Sequence, residues 1–165
     1  MNSDDLHSHP GWSALVEAER QVHMRRAEIL RAEERTELLA AAMASSSNWD
    51  QGAALLFLRQ FPDDVPTLLP SLVALSLSQR WIGLVMEVIR TSHTRNEMIM
   101  NALRDLIRSN IAALTDDSYY ADYFGLANLI RNIDAEDLLA ELAAQAHQSS
   151  DPEIREEFAH YLEEE

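Results

Sequence analysis

Six histidines and twenty-eight carboxylates are the residues of this chain whose types could bind a metal or move a proton. His7 and His9 stand at clamp spacing in a polar stretch, MNSDDLHSHP, with no third ligand nearby, whereas zinc takes three or four protein ligands. Glu156, His160 and Glu164 lie one helical turn apart. That spacing can hold zinc, but it lacks the paired histidines of an H-E-x-x-H helix, and a solvated, charged final helix is the simpler reading. His23, His93 and His147 have no convergent partners in sequence. Paired-carboxylate catalysis needs two acids in unlike environments across a cleft; with this many acids, pairs at i, i+3 and i, i+4 arise by chance. Cysteine is absent, which excludes disulfides, thiolate zinc sites and cysteine nucleophiles. No glycine-rich phosphate loop, G-x-S-x-G elbow or EF-hand loop is present. The expectation is a chain with no catalytic, cofactor-binding or metal-binding residues.

Binding chemistry is better represented. The stretch TDDSYYADYFG, residues 115–125, sets three tyrosines and a phenylalanine among aspartates. Tyr119, Tyr123, Leu126, Ile130 and Ile133 follow 4-3-4-3 spacing and share one helical stripe, so a helix is expected from about Ser118 with Tyr119, Tyr123 and Phe124 buried. Asp116 and Asp117 precede that helix and suit its N-terminus, while Asp122 falls on the solvated side. With Tyr120, Asp134, Glu136 and Asp137 they make an acidic, partly aromatic surface. Trp49, flanked by Asn48 and Asp50, is the more open of two tryptophans at helix starts and a candidate interface anchor; Trp81, within apolar sequence, is expected to seal a helix junction. Asp116, Asp117, Tyr120, Asp122, Asp134, Glu136, Asp137 and Trp49 are the candidate protein-binding residues.

The charge favours that reading. The chain has 165 residues and a formal charge of −15. Residues 115–165 hold fourteen of its acids and only two of its thirteen arginines; lysine is absent. Nucleic-acid affinity comes from clustered cations, so nucleic acid is not an expected partner and a basic protein is; no membrane partner is expected either. Thr67–Ile89, the most apolar run, is broken by Pro70 and by Gln79–Arg80 and reads as two packed helices rather than a membrane span. The acidic start lacks the basic region of a signal peptide, and a cytoplasmic location is expected.

The elements that must position these residues are helical. Leucine and alanine dominate, and glycine and proline are few. Four apolar segments resemble one another: ELLAAA from Glu37, TLLPSL from Thr67, EMIMNAL from Glu97 and DLLAEL from Asp137. Each is followed by a polar break and a second apolar segment, and three of these end alike, in FLRQF, VIRTS and LIRNI, with Arg59, Arg90 and Arg131 in register. Such arginines suit the carbonyls of a helix C-terminus. Gly52, Gly83 and Gly125 precede them by six or seven residues, which suggests close approach of a neighbouring helix backbone. Leu15, Val22 and Ile29 recur every seven residues, and residues 12–31 read as an N-terminal capping helix. Residues 1–10 are expected to be disordered and 11–165 to form a single α-helical repeat domain.

The last pair resembles a HEAT repeat. LLAELAAQA from Leu138 is similar to the first helix of that repeat, and Asp151, Ile154, Arg155, Phe158 and Leu162 are similar to its second, D-x-x-V-R-x-x-A-A-x-x-x-L. The resemblance implies that Asp151 caps the helix, Ile154 packs inward and Arg155 pairs with a capping acid of a neighbouring repeat; the earlier pairs lack the Asp…Arg combination. It implies an all-α fold, a short right-handed HEAT-like α-solenoid of about four antiparallel helix pairs plus the capping helix; an irregular helical bundle is the alternative. HEAT-like DNA glycosylases need a basic concave face, which this charge opposes. A small, acidic, cysteine-free solenoid looks like an immunity protein of bacterial toxin systems, such as contact-dependent inhibition. That resemblance implies a basic toxin domain, often a nuclease, as partner; a HEAT-like adaptor for another protein is the alternative.

Overall fold

A proline after an extended residue starts the first helix. The computed structural model describes residues 9–92, 97–115 and 118–159. α1 spans Pro10–Arg31. Pro10 occupies the first helical position, where its missing N–H leaves no bond unmade, and the amides of Trp12 and Ser13 return to the His9 carbonyl at 3.0 and 3.1 Å. Glu17–Arg20 and Arg25–Glu28 pair along its polar side at 3.3 and 2.8 Å. No residue of α1 is buried. The expected disorder of residues 1–10 falls mainly on residues 1–8, outside the described residues.

Contacts divide the chain into two units, residues 1–39 and 40–165. α2 (Arg35–Ala44) runs across that boundary. In the second unit follow α3 (Asn48–Gln60), a 3₁₀ turn (Pro62–Asp64), α4 (Val65–Ser76), α5 (Ile82–Thr91), α6 (Glu97–Ala112), α7 (Tyr120–Asn132), α8 (Glu136–Ala146) and α9 (Pro152–Phe158). The fold is all-helical, with no strand among the described residues. No helix among them is long and apolar enough to cross a membrane, and the apolar run 67–89 divides into α4 and α5, packed on each other. Polar breaks supply helix starts: Ser47 accepts the Asp50 amide at 3.3 Å and Asp151 the Glu153 amide at 2.8 Å. α5 has no side-chain cap.

Each helix in the second unit packs on near neighbours in sequence. α4 touches α5, α6 touches α7, α7 touches α8 and α8 touches α9. In addition α3, α5, α7 and α9 contact one another in succession, as do α4, α6 and α8. Leu58, Leu72, Leu103, Ile107, Leu126 and Leu142 are fully enclosed between them. The Tyr123 and Phe158 rings, 5.9 Å apart, tie α7 to α9.

The glycines in register have three different surroundings. A Cβ at Gly125 would lie 2.7 Å from the Leu77 carbonyl oxygen and 3.1 Å from its Cα, so here a neighbouring backbone does approach closely. At Gly52 the near neighbour is the Trp81 ring, 3.2 Å away. At Gly83 nothing lies within 4 Å, so the expectation of close approach does not hold there. Trp81 seals its junction as its sequence suggests: half-buried, it meets α3 at Gly52 and donates its indole N–H to Gln51 Oε1 at 2.7 Å.

Two of the three arginines in register reach outward rather than to their own helix ends. Arg59 of α3 bonds Glu87 of α5 at 3.3 Å, and Arg90 of α5 donates to the Asn132 carbonyl of α7 at 3.3 Å. Arg155, implied by the resemblance to pair with a neighbouring acid, donates instead to the Ser149 carbonyl at 2.6 Å in the turn before its own helix. Ile154 is fully buried.

Candidate protein-binding surface

The N-terminus of α7 decides where the aromatic segment points. The helix begins at Tyr120, so Tyr119 is its N-cap, in extended conformation with φ −78° and ψ 153°. Its amide donates to the Asp122 carboxylate at 3.0 Å, while the Asp122 amide returns to the Tyr119 carbonyl at 2.9 Å. That extended backbone takes Tyr119 off the helical stripe, and the residue is 79% exposed rather than buried as the spacing predicts. Tyr123 is buried, and Phe124 is half-buried beneath Tyr120, with the two rings stacked at a centroid distance of 6.0 Å. Asp116 and Asp117 lie outside the described residues.

Tyr120 forms one wall of an open concavity of about 310 Å³, whose other walls are Glu153, Glu156 and Glu157 of α9. None of these glutamates carries an ion pair among the described residues. Sequence reasoning on binding residues missed them, although the signal was present. Glu153 lies three and four positions before Glu156 and Glu157, so all three fall near one side of a helix that Asp151 starts. A stacked aromatic face beside three carboxylates offers a cation both ring and charge contacts, the chemistry that takes a guanidinium or ammonium group.

The other predicted residues are distributed differently. Asp137 on α8 bonds Arg104 of α6, and Arg108 reaches both Asp137 at 3.3 Å and Glu141 at 3.0 Å. Arg104 and Arg108 are one turn apart, as are Asp137 and Glu141, so two rungs link α6 to α8. The hydrogen bond from Arg104 holds the Asp137 carboxyl below its ordinary range, and the Arg104 and Arg108 charges reinforce it against partial desolvation. Arg108 is raised by its hydrogen bond to Glu141 and by that carboxylate's charge. The charge of Asp137 is therefore matched within the chain.

Asp134, in the turn from α7 to α8, and Glu136, the first residue of α8, are both exposed. Asp134 has a left-handed backbone, φ 53°, and its amide and that of Ala135 close the end of α7 by donating to the Arg131 and Ile130 carbonyls at 3.3 Å. Trp49, at the start of α3, is 90% exposed and does not line the Tyr120 concavity. Among the described residues no three histidines, aspartates or glutamates gather for a metal ion. His7, His93, His160 and Glu164 lie outside them. Comparison with protein-family models, with curated proteins and with solved structures finds no match to this chain.

Proposed function

We infer that the chain is a non-catalytic protein-binding module whose acidic C-terminal third takes a basic protein partner. Its helix pairs are read as a short HEAT-like α-solenoid, which the succession of contacts through α3, α5, α7 and α9 and through α4, α6 and α8 supports. The observation that carries the binding reading is the Tyr120 concavity. Among the described residues its three glutamates carry no ion pair, whereas Asp137 and Glu141 are matched to arginines. Asp134 and Glu136 are exposed acids at the other end of α7. The immunity protein of a bacterial toxin system, acting in the cytoplasm, fits this chemistry: a nuclease domain with a basic cleft would be blocked sterically, and the carboxylates would steer its approach.

The test is co-expression with a basic nuclease domain encoded beside this chain's gene, followed by a nuclease assay on the purified complex. Glu153→Gln, Glu156→Gln and Glu157→Gln together with Tyr120→Ala should abolish binding while helicity persists. Full inhibition by that quadruple variant sinks the acidic-surface reading. Trp49 supports the second reading, a HEAT-like adaptor anchored by an apolar side chain. Salt separates the two, since charge-steered binding weakens steeply with ionic strength and binding centred on Trp49 does not.

A further inference from the structure

We draw no further inference here: the strongest candidate, the open concavity between Tyr120 of α7 and Glu153, Glu156 and Glu157 of α9, is an acidic cluster that belongs to the binding surface already described, and nothing in the structure shows which ligand it takes beyond that reading.

Discussion

Gly125→Ala tests the packing of α7 against the turn between α4 and α5. The new methyl would lie 2.7 Å from the Leu77 carbonyl oxygen, 3.1 Å from its Cα and 3.3 Å from its carbonyl carbon. Comfortable carbon contacts begin near 3.5 Å, and here both sides are backbone, so no flexible side chain can give way. Overpacking of this kind costs about 3 kcal/mol at the upper end of its usual range. Alanine returns about 1 kcal/mol of helix propensity in a helix interior. The expected net loss is about 2 kcal/mol, a fall in Tm of about 4–8 °C for a domain of this size. Gly83→Ala is the control. It meets open space, so propensity alone acts and stability should rise by about 0.4–1 kcal/mol. Gly52→Ala should fall between them, because the Trp81 ring edge can shift by a few tenths of an ångström. Urea unfolding followed by far-UV circular dichroism ranks the three. Equal stability of Gly125→Ala and the parent chain would refute the close approach, and so would equal losses from Gly125→Ala and Gly83→Ala.

Three further substitutions probe other contacts. The Asp137 carboxyl titrates below its ordinary 3.8, so its contribution is complete above that value and fades as the pH falls through the depressed one; Asp137→Asn should cost about 0.5 kcal/mol at neutral pH, as exposed pairs do, and nothing in strong acid, read by thermal melts across pH. Gln51→Ala removes the acceptor of the Trp81 indole and the donor to the Ser45 carbonyl, and should cost about 1–2 kcal/mol with a red shift in tryptophan emission. Asp134→Gly relieves a left-handed aspartate and should raise stability by about 1 kcal/mol or less; a loss in urea unfolding would mean that its carboxylate holds the turn.

The helices were legible because their signal is local. The segments beginning at Glu37, Thr67, Glu97 and Asp137 each fall in a helix, and the polar breaks mark the starts that Ser47 and Asp151 cap. Tyr119 was misread because a two-residue difference in where α7 begins changes it from a stripe residue into a cap. Gly83 was misread because register along one helix does not specify what the next helix brings to that height. The destinations of Arg59 and Arg90 depend on how successive helices are offset, which periodicity does not encode. The concavity joins a residue of α7 to three of α9, and only packing brings them together.

The helices of residues 40–165 find their principal partners one or two helices away along the chain. Little loop has to close before each contact forms, so the entropy lost per step is small and assembly should be quick for a chain of this length. The same arrangement makes cohesion graded. α9 is held by α7 and α8, with Ile154 and Phe158 as its buried grips, so its release leaves the union of α4 with α5 untouched. A protease should therefore shorten this unit from its C-terminal end in steps, with the wall that carries Glu153, Glu156 and Glu157 among the first parts to go.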